Sequence, residues 1–180
     1  MSDITLIDND GGEHPAHKLI LMSRSDHFRS MFRHDMQESR LGRINIDASP
    51  GAVQQLRKYL YTDNIDCDTK KDESVMMGLF SLGDLYSLSR LKTLIEAEMK
   101  DTLSIDNVAG RLMMSVRHNS PLKKTCTDLI RANLTEIVKT KDWVEVLKDA
   151  SVMATLITPE KGDGDDANSG NGKSKRARYT

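Results

Sequence analysis

A change of hydrophobic period near the start of the chain most constrains its fold. Residues 4–7 read Ile-Thr-Leu-Ile, a strand-like run, and the Asn-Asp-Gly-Gly sequence at 9–12 is a strong turn signal. The return segment contains Pro15, which has no N–H for a strand ladder and therefore belongs on an edge or at a strand end. From His17 the apolar spacing becomes helical. This order predicts a short hairpin followed by two helices joined by a tight corner, with Ser25 capping the second helix.

The middle of the chain continues the mixed pattern before it becomes wholly helical. Apolar and polar residues alternate over 43–47, which predicts a third strand with Ile44 and Ile46 facing inward. Ser49-Pro50 opens a helix that ends before Ile65, where we expect another short strand. Further helical segments are expected at 74–81 and 88–103, and from Ser104, Ser120 and Thr135. The fold class is therefore α/β, of the α+β kind, followed by an all-helical segment.

Composition and charge exclude several classes of protein. The 180 residues carry 26 Lys and Arg against 27 Asp and Glu, with 38% hydrophobic residues, as in ordinary globular chains. A net charge of −1 offers no broad field for nucleic acid or an anionic membrane, so we expect neither as a partner. No apolar stretch approaches the roughly 18 to 20 residues of a membrane span. Cys67 and Cys126 form no CxxC pair, and we interpret both as free thiols inside the cell.

The residues after Ile157 differ in composition from the rest of the chain. They contain no Leu, Ile, Val, Phe or Met, so they bury too little apolar surface to offset ordering entropy. We expect residues 158–180 to form a disordered tail. Its basic cluster has the form of a nuclear-import signal, although a solubilising tail is the alternative. The cluster comprises Lys173, Lys175, Arg176 and Arg178. The expected location is therefore nuclear, cytoplasmic or both.

The sequence contains no catalytic or metal-binding motif. GxSxG, Walker and GxGxxG patterns are absent, and the serines and cysteines lack a local nucleophile signature. His14 and His17 are a close histidine pair, but Pro15 prevents the continuous helix that would place both rings on one face. We expect no catalytic residues, no metal and no cofactor, and we expect that the protein is not an enzyme.

A long stretch of this sequence resembles the BTB/POZ domain family. Residues 15–32 read PAHKLILMSRSDHFRSMF, and MQES follows at 36–39. The likeness continues through INI at 44–46, YLYTD at 59–63 and GDLYSLSRLK at 83–92. It is strongest to the speckle-type POZ proteins, cullin-3 adaptors that normally carry an N-terminal MATH domain. The resemblance implies a BTB/POZ fold over residues 1–101, in which helical hairpins cover a small mixed sheet.

The resemblance extends past the POZ region. It also indicates which parts of the family's usual proteins we expect this chain to lack. LSIDNVA at 103–109 and Asp142-Trp143 are similar to the shortened BACK helices of those adaptors, which implies a BACK-like helical segment over 102–157. Because the chain starts at the first strand, we expect neither a MATH domain nor the preceding helix that swaps across the family's dimer. We expect self-association, or pairing with another BTB protein, to be weakened.

The resemblance also implies a binding site for cullin-3. The family motif is a hydrophobic residue, any residue and Glu, which Met36 and Glu38 match close to His34. Met36 would fill an apolar pocket, and Glu38 would accept hydrogen bonds. Leu85 and Tyr86 lie at a corner that also faces cullin-3 in the family, which makes them candidates for a second contact. Leu85 would equally suit the core. The alternative interpretation is that Met36 and Glu38 are ordinary exposed loop residues.

Two functional hypotheses follow from this resemblance. The first is an adaptor that binds the cullin-3 scaffold of a ubiquitin ligase and supports or regulates ubiquitination of an unknown substrate protein. The second is a nuclear BTB protein that oligomerises with transcription-associated partners and has no ligase role.

Overall fold

Alternating apolar residues build a small mixed sheet in the computed structural model, which describes residues 2–33, 41–66 and 72–158. The strands are β1 (Ile4–Ile7), β2 (Glu13–Ala16) and β3 (Arg43–Asn45), in the order β2-β1-β3. The β2 strand is antiparallel to β1, and β3 is parallel to it. The predicted hairpin, the third strand and the edge position of Pro15 are therefore confirmed.

The side chains on one face of the sheet form part of the core. Leu6 pairs with His14 in β2 and with Ile44 in β3. Leu6 is fully buried, and Ile44 and Ile46 are almost fully buried, as the alternation predicts. The β3 strand ends at Asn45, so Ile46 lies just beyond it and still faces inward.

The turn between β1 and β2 is organised by a buried carboxylate. Asp8 Oδ1 accepts hydrogen bonds from the N–H groups of Asp10 (3.0 Å) and Gly12 (2.8 Å), and Oδ2 lies 2.7 Å from His14 Nε2. The hydrogen bond to His14 is the main reason that the pKa of Asp8 lies below its ordinary value. A Cβ at Gly12 would come within 2.5 Å of Asp8 Oδ2, so any larger residue there would displace the Asp8 carboxylate.

We expect Asp8 to make folding sensitive to acid. A carboxyl whose pKa is lowered by folding stabilises the protein above its ordinary pKa of 3.8, and that contribution is lost as the pH falls through the folded value. The free energy of unfolding of Asp8→Asn should therefore fall less steeply than that of the wild type as the pH is lowered from about 5 to about 2. Urea denaturation across that range measures the slope. Asp10→Asn, in the same turn but exposed, is the control, and equal slopes for both variants would contradict the assignment.

Helices make up most of the remaining described residues, and consecutive helices pack against each other in pairs. They are α1 (Lys18–Arg24), α2 (Asp26–Arg33), α3 (Pro50–Thr62), α4 (Glu73–Leu85), α5 (Ser89–Asp101), α6 (Val108–Arg117), α7 (Leu122–Ala132), α8 (Leu134–Ile137), α9 (Trp143–Lys148) and α10 (Ala150–Ile157). The predicted corner between two helices is confirmed at Ser25. The α/β class, with a small mixed sheet and helical hairpins, is confirmed as well.

The region around α3 confirms one expectation and corrects another. Ser49 caps the helix by accepting a hydrogen bond from the N–H of Ala52 (3.4 Å), and Pro50 is its first residue, as predicted. Asp63 ends it in the left-handed conformation, with φ of 58°. The prediction of a short strand at Ile65 was wrong. The N–H of Ile65 is taken by Asn64 Oδ1 (2.8 Å), and its buried side chain explains the apolar signal without a strand.

A continuous hydrophobic core runs from the sheet into the last helices. Trp143, Val146 and Val152 belong to the same buried cluster as the strand residues, so Trp143 packs among the terminal helices. The predicted boundary between residues 101 and 102 coincides with the end of α5. The BACK-like nature of the helices after it stays a prediction.

The predicted tail lies almost wholly outside the described residues. Only Thr158 of the tail is described, so the four basic residues of the import signal stay a prediction. Within the described ranges, no helix has the length and apolar character needed to cross a membrane.

Candidate protein-interaction site

A groove of about 560 Å³ lies where α2, β3 and the C-terminal end of α4 meet. We call it the α2–α4 groove. Helix α2 supplies one wall, the start of β3 supplies the second, and the corner after α4 closes the end. Its lining residues are His27, Met31, Leu41, Arg43, Ile44, Asn45, Leu85 and Tyr86. A volume of this size is typical of binding sites.

Aromatic packing holds the base of the groove. Tyr86 is buried, and its ring stacks on Phe28 with centroids 4.4 Å apart and planes inclined by 16°. His27 approaches the Tyr86 ring edge-on at 5.2 Å. Burial raises the pKa of Tyr86 to about 12, so its phenol stays protonated at physiological pH. The Tyr86 ring at the base of the groove is therefore uncharged and packed between Phe28 and His27.

One serine couples the two helices that flank the groove. Ser25 Oγ accepts a hydrogen bond from the N–H of Phe28 (3.2 Å), which confirms the predicted cap of α2. The same hydroxyl donates to the backbone carbonyl of Tyr86 (2.7 Å). Ser87, with φ of 56°, then turns the chain into α5. The corner after α4 is thus positioned by the start of α2.

Exposed leucines form the rim of the groove. Leu85 is 55% exposed and Leu41 is 66% exposed, although both are large apolar side chains. Leu85 is therefore a surface residue rather than a core residue. Its neighbour Tyr86, predicted as a second contact, is buried and shapes the groove instead. Apolar side chains around a concave site are typical of a protein-binding surface.

Three of the predicted contact residues lie outside the described residues. His34, Met36 and Glu38 fall within 34–40, so their role stays a prediction. Met31 and Leu41, the groove residues nearest to that segment on each side, both line the α2–α4 groove.

Other groove residues were missed by the sequence analysis. His27 and Met31 are four positions apart on α2 and so share a helix face, a signal that could have been used. Leu41 is an apolar residue directly before Gly42 and β3. Arg43 forms an ion pair with Glu13 on β2. Its place in the groove depends on how the strands are arranged in the sheet, which no local sequence pattern indicates.

The structure also assembles a serine, a histidine and an aspartate that the sequence does not place together. His118 Nε2 lies 3.2 Å from Ser81 Oγ, and His118 Nδ1 lies 3.1 Å from Asp84 Oδ2. Lys92 also binds Asp84, and its hydrogen bond is the main reason that the pKa of Asp84 is lowered. Ser81 lies within α4, where neighbouring N–H groups are committed to helix hydrogen bonds rather than to an oxyanion. We interpret the cluster as a contact between α4 and the end of α6.

The two histidines near the hairpin bind different partners. His14 pairs with Asp8, and His17 Nδ1 lies 2.7 Å from Tyr61 Oη. Across residues 2–33, 41–66 and 72–158, no group of three or more His, Cys, Asp or Glu side chains is arranged to hold a metal ion.

The comparison with protein-family models agrees with the resemblance at the level of the family. A family model described as the BTB/POZ domain matches residues 1–103. The chain is 29% identical to BTB/POZ and MATH domain-containing protein 6 of Arabidopsis thaliana over 97% of its own length and 46% of that protein. It therefore spans about half of that relative. The BTB domain of human gigaxonin is 23% identical, with a TM-score of 0.42 over 52% of this chain and 74% of that one.

Proposed function

Because the chain belongs to the BTB/POZ domain family, whose fold serves protein–protein interaction, we propose that it is an adaptor for the cullin-3 scaffold of a ubiquitin ligase. It would bind cullin-3 through the α2–α4 groove and so support or regulate the ubiquitination of a substrate protein. The observation that carries this proposal is the exposed apolar rim, Leu85 and Leu41, around a buried aromatic base.

The rim of the groove suits the apolar face of a protein helix. Leu85 and Leu41 offer apolar area at its rim, and Tyr86 presents a neutral ring held by Phe28 and Ser25. An amphipathic helix buries its apolar face in such a groove. Met36 and Glu38 belong to the segment between two groove-lining elements, so they are proposed as further contacts.

We expect Leu85→Asp to weaken binding to the cullin-3 N-terminal domain by at least tenfold, or about 1.4 kcal/mol. A charge at the rim would remove apolar contact and require desolvation on binding. Isothermal titration calorimetry with the full chain measures the affinity. Leu147→Asp is the matched control, because Leu147 on α9 is also 55% exposed but lies outside the groove.

Met36→Asp tests the proposed motif in the same titration and should also weaken binding. If the folded wild-type chain shows no binding, or if Leu85→Asp and Leu147→Asp behave alike, the adaptor proposal is wrong. The alternative, a nuclear BTB interaction protein without a ligase role, would then be favoured. Light scattering on the same samples tests pairing with itself, for which Leu19 on α1, 77% exposed, supplies apolar surface.

A further inference from the structure

A second cavity, of about 470 Å³, lies between β2 and α3 and shares no lining residue with the α2–α4 groove. Its size is also typical of ligand sites. Most of its exposed surface is apolar, supplied in part by Pro15 and Tyr61, and polar side chains complete the walls. Its walls include Pro15, His17, Gln55, Arg57, Lys58 and Tyr61.

The cavity contains one cation without a carboxylate partner among the described residues. Asp66 pairs with Lys58 and also accepts a hydrogen bond from Gln55 Nε2 (3.1 Å). The bond from Lys58 is the main reason that the pKa of Asp66 is lowered, so Asp66 stays ionised and compensates Lys58. Arg57 Nη1 donates to the carbonyl of Pro15 (3.1 Å), which holds the guanidinium at the cavity wall, and its other donors have no partner among residues 2–33, 41–66 and 72–158. A planar guanidinium held in this way favours a carboxylate.

The edge strand beside the cavity favours recognition through side chains. Pro15 has no N–H, and its carbonyl already accepts from Arg57. An incoming strand therefore cannot extend the sheet through Pro15. His17 and Tyr61, joined by their 2.7 Å contact, form a fixed aromatic wall on which an apolar neighbour of the acidic residue would pack.

We propose that this cavity binds an acidic peptide segment of a partner protein, whose Asp or Glu carboxylate pairs with Arg57. This goes beyond the adaptor function and does not depend on it. A cullin-3 scaffold bound at the α2–α4 groove and an acidic segment bound here would occupy separate sites on one chain.

The test is selection of a random heptapeptide display library on the immobilised full chain, in parallel with Arg57→Gln. Arg57→Gln removes the charge and keeps a polar side chain, and its thermal transition is checked by circular dichroism. Peptides with Asp or Glu should be enriched on the wild type and not on Arg57→Gln. Lys100→Gln, which changes an exposed cation on α5 outside the cavity, should select the same peptides as the wild type. No acidic enrichment, or equal enrichment on Arg57→Gln, would overturn the proposal.

Titrations of a selected peptide against variants then test whether it binds in this cavity. In a fluorescence polarisation titration, we expect at least a tenfold loss of affinity when its acidic residue becomes the amide, and a similar loss with Arg57→Gln. Tyr61→Ala, which removes part of the aromatic wall, should weaken binding of the peptide and leave succinate unaffected. Succinate binding as tightly as the peptide would assign a small-anion site and overturn the peptide proposal. Because cullin-3 titrations use other variants, failure here leaves the adaptor proposal standing.

Discussion

Phe28→Ala should lower the free energy of unfolding by about 3–5 kcal/mol, the range for deleting a large buried aromatic side chain. Phe28 is fully buried between helices, and it stacks on both Tyr86 at 4.4 Å and Phe32 at 6.3 Å. The loss combines the transfer of the ring to water with the cavity it leaves. Urea denaturation at an unchanged m value measures it.

Phe32→Ala provides the comparison for Phe28. Phe32 lies on the same helix but is only partly buried, so its replacement should cost clearly less. Phe28→Ala should also reduce binding at the α2–α4 groove, because Tyr86 loses the ring that positions it. Equal losses for the two variants, or a loss below about 1 kcal/mol for Phe28→Ala, would show that the stack does not hold the corner.

The second large effect is expected at an ion pair between α4 and α6. Arg111 Nε donates to Glu73 Oε1 (2.8 Å), Nη2 donates to Oε2 (2.6 Å), and Nη1 binds the carbonyl of Met99. The Arg111 side chain is only 4% exposed. Glu73→Ala leaves this cation buried without its carboxylate and should destabilise the fold by about 3 kcal/mol. That is the low end for a buried pair, because Glu73 itself is 39% exposed.

A double variant separates a lost charge partner from lost packing. Adding Arg111→Met to Glu73→Ala removes the stranded cation, so much of the stability should return. Glu136→Ala on α8, an exposed position, should change the free energy of unfolding by less than about 0.5 kcal/mol. Thermal and urea denaturation measure all three variants. If the double variant is no more stable than Glu73→Ala, the unpaired charge of Arg111 is not the cause of the destabilisation in Glu73→Ala.

This ion pair bears on how the helices after α5 relate to the BTB/POZ region. The family model ends at residue 103, but Arg111 on α6 contacts Glu73 and Met99 inside that region. Ser120 also donates to Glu96 on α5 (2.6 Å). With the continuous core, these contacts join the matched region and the later helices into one body, so removing the latter would uncover buried surface.

Local pattern in the sequence determined the secondary structure and the core faces. The strand alternation at Ile44 and Ile46, the edge proline at Pro15 and the caps at Ser25 and Ser49 follow from spacing and backbone chemistry, and the structure has them where predicted. Ile65 was misassigned because a buried apolar residue in a loop gives the same local signal as a short strand.

Only the tertiary structure decided which side chains meet. Ser25 reaches the Tyr86 carbonyl across 61 positions, Arg111 reaches Glu73 across 38, and Arg57 reaches the Pro15 carbonyl across 42. The sequence suggested Leu85 as a contact but left open whether it was core, and the fold exposes it. Periodicity reports the environment of a residue along its own helix or strand, whereas a binding site depends on contacts between elements, which local spacing does not encode.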